Sequence, residues 1–337
     1  MEIWGNILYN DQRKKRNEEQ KKRGTKEMYH IIMNPTASSG KGAKVWKKVQ
    51  KILQEENVAY EQYQTSSVMD TKNIVRRLTA NADSKHPVHL IVLGGDGTLN
   101  TVLNGIEQFE YTTLSCIRTG SGNDFARNVG ISKNVSRAMD GILHHPKDIC
   151  LDYGIAAYKG DGIEGKRRFL ISSGMGYDAD ICEEVSRSRL KRILNRIHLG
   201  KLVYVAIGIK QIFTRRSPKA VIVVDKETPI NVKRLFFCVG MIHPMEGGGV
   251  PFCPGANPQD HMLDVCLVKA MPKIKLLLAV MLVYMKQHYL FSAITQHRCQ
   301  EITITSEEPQ WFHIDGETPG QIQYLHLQCE KGLHIRM

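Results

Sequence analysis

The sequence predicts an α/β fold: an N-terminal doubly wound parallel sheet followed by a C-terminal mainly-β sandwich domain. Three observations carry this. Strand and helix patterns alternate from residue 28 to about 145, polar glycine-containing turns follow several of those strands, and short β-rich runs dominate afterwards. Residues 1–27 read as a charged arm. Tyr29–Met33 is a short apolar strand ending in Asn34-Pro35, and Lys44–Leu53 carries Val45, Trp46, Val49 and Leu53 at helical spacing. Val58–Thr65 alternates as a strand and Thr71–Ala80 repeats as a helix. Val88–Leu93 is a buried-type strand, and the helix after it carries Leu99, Val102, Leu103 and Ile106.

Beyond residue 145 the expected strands are Ile149–Ala157, Arg168–Ser172, Ala220–Val224, Leu235–Val239, Leu263–Val268 and Glu301–Thr305. The expected division is therefore an arm at 1–27, an α/β domain at 28–145 and a sandwich domain at 146–337. The last strands of the chain are free to return to the first domain.

Among 337 residues, 42% are hydrophobic and 24% charged, the balance of a globular protein. A net charge of +12 points to acidic partners such as phosphates or an anionic membrane. Nucleic acid is not expected, because no recognition motif or aromatic platform accompanies the charge. The eight cysteines form no C-x-x-C pair, which fits a reducing cytosol and argues against a zinc ribbon. Arg13-Lys-Lys-Arg16 and Lys21-Lys-Arg23 stand where a signal peptide would be apolar. The longest apolar run, Leu276–Met285, is shorter than the roughly 20 residues needed to span a bilayer, and it reads as a core helix. These features predict a cytoplasmic protein that at most lies against the inner face of the membrane, with oligomeric state left open, a homodimer included.

Gly94-Gly-Asp-Gly-Thr98 follows a strand and opens a helix, a context in which backbone N–H groups bind phosphate. A carboxylate there would repel phosphate unless a divalent cation lay between them. A tight turn in which Asp96 caps the following helix accounts for the same residues equally well. Two further polar turns stand at strand ends: Asn34-Pro-Thr-Ala-Ser38 with Gly40-Lys-Gly42, which is not a Walker A loop, and Thr119-Gly-Ser-Gly-Asn-Asp-Phe-Ala-Arg127. Kinase H-R-D and D-F-G sequences are absent. Three such turns on one rim of a parallel sheet favour a nucleotide cleft.

In this order, GGDGTLN from Gly94, SGNDFAR from Ser121, Leu151-Asp-Tyr-Gly154, Gly176-Tyr-Asp-Ala179 and Asp315-Gly-Glu317 make the chain resemble the diacylglycerol kinase catalytic-domain family of lipid kinases, in its soluble bacterial form. The resemblance runs from about residue 28 to the C-terminus. It implies ATP as co-substrate, Mg²⁺ as cofactor, a cleft between the two domains and a membrane lipid as acceptor, foremost diacylglycerol. It also implies ATP contacts from the turn Asn34, Pro35, Thr36, Ala37 and Ser38, from Thr65, from Gly94, Gly95, Asp96, Gly97 and Thr98, and from Ser121. Glu317 would accept the lipid hydroxyl's proton, and Asp152 would support the active-site metal through water. A structural Mg²⁺ would be held by Asn257, Asp260 and the carbonyl of Met262. The chain departs from the family pattern at three places: Gln259 replaces an acid, His261 a glycine and Arg118 a common proline. A kinase of another lipid alcohol (a sphingoid base or phospholipid headgroup) and a non-catalytic nucleotide or lipid sensor are the alternatives.

Taken alone, Asp315-Gly-Glu317 also reads as a hairpin turn between Trp311–Ile314 and Gln321–Leu327. Residues 185–224 contain ten Lys or Arg and no acid. Within them Leu190, Ile193, Leu194 and Ile197 recur at helical spacing among Arg189, Lys191, Arg192 and Arg196. That pattern suits either a helix on anionic lipid or an ordinary helix with a solvated basic face.

Overall fold

The computed structural model describes residues 27–34, 41–120, 122–188 and 200–337. The expectations for Pro35, Thr36, Ala37, Ser38 and Ser121, and for the basic helix around Arg189–Ile197, lie outside the described residues.

The N-terminal part alternates as the apolar periodicity dictates: β1 (Met28–Met33), α1 (Lys41–Glu55), β2 (Ala59–Gln64), α2 (Val68–Thr79), β3 (Val88–Gly94), α3 (Asp96–Leu103) and β4 (Thr112–Arg118). All seven residues of β3 are buried, because helices cover both faces of the sheet. The strands run parallel in the order β2-β1-β3-β4. The winding direction reverses between β1 and β3, so a crevice opens at their carboxyl ends, where Asn34 and Gly94 emerge. Trp46, Val49 and Leu53 of α1 pack on one face, and Leu99, Val102 and Leu103 of α3 on the other.

Two short helices follow, α4 (Asp124–Asn128) and α5 (Val135–Leu143), and then the β-rich part begins with β5 (Asp148–Gly160), β6 (Ile163–Phe169) and β7 (Ser172–Gly176). The run Arg168–Ser172, expected as one strand, instead straddles the turn from β6 to β7. The N–H groups of Leu170, Ile171 and Ser172 there bond a carboxylate, that of Asp315, rather than a strand. Next come α6 (Tyr177–Arg187), α7 (Gly200–Thr214), β8 (Ala220–Val224), β9 (Ile230–Val232), β10 (Leu235–Met241), β11 (Leu263–Lys269), α8 (Lys273–Tyr284), β12 (Ile294–Cys299), β13 (Glu301–Ile314) and β14 (Glu317–Arg336).

The C-terminal sandwich closes over a core that includes Phe169, Met175, Phe312, Leu325 and Leu327. The long β14 pairs antiparallel with β5 and β13, and its end pairs parallel with β4 at His334–Thr113 and Ile335–Leu114. One hydrogen-bonded path therefore crosses from the sandwich into the parallel sheet, fixing the two parts against each other. No helix among the described residues is long and apolar enough to cross a membrane.

The core reading of Leu276–Met285 is overturned. Only Leu276, Ala279 and Val283 of α8 are buried, whereas Ile274, Leu278, Met281 and Tyr284 face outward. An unbroken apolar run hides this, since it carries no periodicity from which to read a solvent face.

Candidate active site

The loop after β3 and the loop after β4 pack backbone against backbone. A Cβ on Gly95 would stand 2.9 Å from the Cα of Gly120, and the Thr119 N–H donates to the Gly94 carbonyl at 3.1 Å. A Cβ on Gly94 would run into the side chain of Thr98 at 2.5 Å. Two glycines of the Gly-Gly-Asp-Gly motif thus serve contacts inside the protein.

Asp96 joins the same two loops. Its Oδ2 accepts the Asp124 N–H and its Oδ1 the Phe125 N–H, each at 3.0 Å. The capping expectation is thereby redirected: Asp96 caps the helix after the next strand, α4, and its own helix has no side-chain cap. Burial raises the Asp96 carboxyl above the usual carboxylate range, opposed by these two N–H bonds and reinforced by the charges of Asp124 and Asp315.

Gly122 lies between two carboxylates, since a Cβ there would meet Asp96 Oδ2 at 3.1 Å and Asp124 Oδ2 at 3.9 Å. Asp124 is buried, pairs with Arg127 and accepts the Gly248 N–H at 2.7 Å. The hollow that glycine leaves beside the unused lone pair on Asp96 Oδ2 fits a hydrated divalent cation. Asp96 is the residue that would hold it, because both oxygens of Asp124 are committed, to Arg127 and to the Gly248 N–H.

Glu317 comes to this loop from the far end of the chain. Asp315 and Gly316 take φ of 49° and 80°, so β13 turns into β14 through a two-residue Asp-Gly hairpin of the primed type. The hairpin reading is correct, and the same turn sets Glu317 beside the loop Gly94–Thr98. Its Oε1 is 3.8 Å from where a Cβ on Gly97 would be.

Three residues hold this turn. Asp315 is buried and accepts the N–H groups of Leu170, Ile171 and Ser172 at 2.8, 2.8 and 3.2 Å, and the Asn100 amide at 2.7 Å. Burial pushes its carboxyl up, while the same bonds pull it down. Removing it would strand three buried donors, at a cost of about 3 kcal/mol or more. Arg167 donates to Glu317 Oε2 at 2.8 Å and to Asn100 Oδ1 at 3.1 Å. His313 lies beneath, with Nε2 3.0 Å from Asp178 Oδ2, and Gly316 N–H donates to Nδ1 at 3.3 Å.

Burial alone would keep His313 neutral, but Asp178, with Glu246 behind it, carries its imidazole up to about 9. The Gly316 contact instead needs a free lone pair. At 3.3 Å it is the weaker bond, and the Asp178 pair decides the direction. Burial moves Glu246 up to about 7.

The remaining expected residues fall in two places. Thr65 is buried at the end of β2, where its N–H donates to the Met33 carbonyl at 2.8 Å, next to Asn34 on the crevice. Asp152 is buried on β5 against a different loop, 257–262, where its Oδ2 accepts the His261 N–H at 2.7 Å and its own N–H donates to Pro258 at 2.7 Å. Burial raises its carboxyl.

That loop does not fit the structural Mg²⁺ implied by the resemblance. Asp260 gives Oδ2 to the Arg298 guanidinium and Oδ1 to the Met262 N–H at 3.1 Å. Gln259 donates to the Cys150 carbonyl at 3.1 Å, and Asn257 is left as the one uncommitted side chain of the implied set. His261 has φ of 59°, which explains why glycine is usual at this position and shows that histidine adopts the same conformation here.

The sequence reading missed Asn100, Asp124, Arg167, Asp178, Glu246 and His313. Asn100, Asp124 and Asp178 lay inside the motifs GGDGTLN, SGNDFAR and Gly176-Tyr-Asp-Ala179. Arg167 sits in a basic hairpin strand, Lys166-Arg-Arg168, with no local signal to set it apart.

A family model described as the diacylglycerol kinase catalytic domain matches residues 28–151. A second, the YegS C-terminal NAD kinase beta sandwich-like domain, matches residues 171–331. The chain is 27% identical over 317 residues to a Bacillus subtilis (strain 168) protein named "Putative lipid kinase YtlR", covering 91% of this chain and 99% of that one. It is 24% identical over 321 residues to a B. subtilis protein named diacylglycerol kinase, covering 91% and 95%. A solved structure from Bacillus anthracis str. Sterne, titled as a "putative diacylglycerol kinase", superposes with a TM-score of 0.70 at 20% identity, over 92% of this chain and 94% of that one, and shows the shared fold. With the two domain models following each other over residues 28–151 and 171–331, this chain belongs to the diacylglycerol kinase catalytic-domain family of lipid kinases.

Proposed function

We propose that the protein transfers the γ-phosphate of ATP to the hydroxyl of a membrane lipid, diacylglycerol first among the candidates, giving phosphatidic acid. In this reading residues 28–145 hold the nucleotide and residues 146–337 hold the lipid. One observation carries it: Glu317, from the sandwich hairpin, stands beside Gly97, its Oε1 3.8 Å from where a Cβ on that glycine would be. A proton acceptor and a phosphate-binding loop from opposite ends of the chain meet where a phosphoryl group would be transferred. The names of the two B. subtilis relatives support the choice of a lipid acceptor.

The nucleotide phosphates would lie on the N–H groups of Gly97 and Thr98 at the start of α3. A divalent ion bound at Asp96 would supply charge neutralisation for the transferring group. Glu317 takes the proton from the lipid hydroxyl as the oxygen attacks phosphorus and the bond from phosphorus to the leaving ADP oxygen breaks. Arg167 aims Glu317, and Asp315 with His313 keeps the turn in register. Incubation with γ-labelled ATP and a panel of lipids in mixed micelles tests this directly. Labelled phosphatidic acid is the expected product. Label on a sphingoid base or headgroup would move the acceptor, and label on no lipid would reject the reading.

A further inference from the structure

We propose that the outer faces of α7 and α8 together form the surface by which this protein docks on an anionic lipid bilayer. This deepens the lipid-kinase reading and rests on it for the choice of lipid, but it is read by adsorption and not by turnover.

Among the described residues, eleven of the sixteen large hydrophobic side chains exposed to solvent lie on α7, α8 or the turn after α8. On α7, Val205, Ile209 and Phe213 recur every four residues along the outward face, while Val203, Ile207 and Ile212 point inward. On α8 and its cap, Ile274, Leu278, Met281 and Met285 make a second stripe, with Ile274 at 73% and Met281 at 68% exposure. The helices pack side by side, and the Lys273 ammonium at the start of α8 bonds the Ile212 carbonyl near the end of α7. The inner faces already supply the core contacts, so the outer stripes are surplus to folding. Apolar exposure concentrated in this way marks an interaction surface.

Charge selects the occupant. Both helices come from acid-free sequence: residues 185–224 hold ten Lys or Arg, and residues 265–300 hold five. At the chain's 34 acids in 337 residues, each stretch would ordinarily carry several. Arg216, Lys275 and Lys286 are exposed and make no ion pair among the described residues, and Lys210 pairs with Glu184 of α6. A second copy of this face would bring cation against cation. An anionic bilayer offers an apolar interior for the stripes and negative headgroups for the basic rim.

The surface also lies close to the chemistry. α6 packs against α7 on one side and against β13 and β14 on the other. Thr318, next to Glu317, donates to Glu183 of α6 at 2.6 Å. One helix therefore separates the apolar face from the turn carrying Glu317.

The test is flotation with vesicles of equal parts phosphatidylglycerol and phosphatidylcholine, against phosphatidylcholine alone, at low and high salt. Wild type is expected on the anionic vesicles, with binding weakened by salt. Leu278→Glu combined with Met281→Glu should bind about tenfold more weakly or worse, because carboxylates replace side chains that enter the interface. Lys275→Gln with Lys286→Gln should show a shallower salt dependence, and it keeps the test valid if the first variant folds poorly. Phosphorylation of a short-chain dispersed lipid should be unchanged in both, which separates loss of docking from failure of the kinase reading. Wild type that ignores both vesicle types, or variants that float like wild type, would overturn the proposal. So would a dimer, seen by sedimentation, that the Leu278/Met281 variant dissolves, because the face would then belong to a second copy.

Discussion

Arg167 and Glu317 face each other at 2.8 Å, one from strand β6 and the other from the first residue of β14. The same guanidinium reaches Asn100 on α3, so the helix that opens at the phosphate loop and the turn bearing Glu317 share one cation.

Arg167→Gln should therefore lower kcat roughly 10- to 100-fold by letting Glu317 drift from its position. ATP affinity should stay within a factor of about two, since Arg167 touches no part of the expected phosphate site. The pair is partly exposed and worth at most about 1 kcal/mol, so melting should barely move. Steady-state kinetics with calorimetric ATP titration separate the two effects.

Asp96→Asn should abolish lipid phosphorylation and also cost stability. The residue ties α4 to the phosphate loop through two N–H bonds. Asparagine keeps one acceptor, so the expected loss is about 1 kcal/mol, or roughly 2 to 4 °C in Tm. An inactive variant with an unchanged Tm would confine Asp96 to ligand binding.

Stability should fall as pH rises. The His313 imidazole moves from 6.5 to about 9 on folding, so its contribution is complete below 6.5 and lost as pH passes through 9. Glu246 moves from 4.5 to about 7, and its protonated form adds a contribution lost on the way through 7. Both act in the same direction, and Tm should decline between about pH 5 and 9. His313→Gln should flatten the upper part of that decline in a melting series.

The loop at 257–262 should be indifferent to chelators. Asp260 is held by Arg298, so treatment with EDTA should shift Tm by less than about 1 °C. Arg298→Met should destabilise the loop and leave Asp260 seeking a cation, seen as a new Mg²⁺-dependent gain in Tm.

Local pattern made the N-terminal half legible. The helices α1 to α3 carry an apolar period, β3 is an apolar run, and the strand-end turns carry Gly, Asn and Asp, so β1 to β3, the helices between them and the crevice followed from local pattern. The sandwich was less legible, because β7, Ser172–Gly176, has two serines and two glycines and gains its strand from burial between β10 and β13. The run Arg168–Ser172 misled for a related reason: the carboxylate that breaks it lies about 145 residues away in sequence. Asp96 and Glu317 were visible as motif residues, but what aims them was not. Arg167, Asn100 and His313 act through contacts made only when β14 folds back beside β5 and β13, and no window of sequence contains that return.

Glu317→Gln tests the central claim most directly, with ATP affinity and lipid phosphorylation measured on the same preparation. The variant keeps shape but cannot take the hydroxyl proton. ATP should bind as in wild type while kcat for the lipid falls about 100-fold or more. A kcat within about threefold of wild type would contradict the assignment and leave Asp315-Gly-Glu317 as a hairpin that happens to lie beside the phosphate loop.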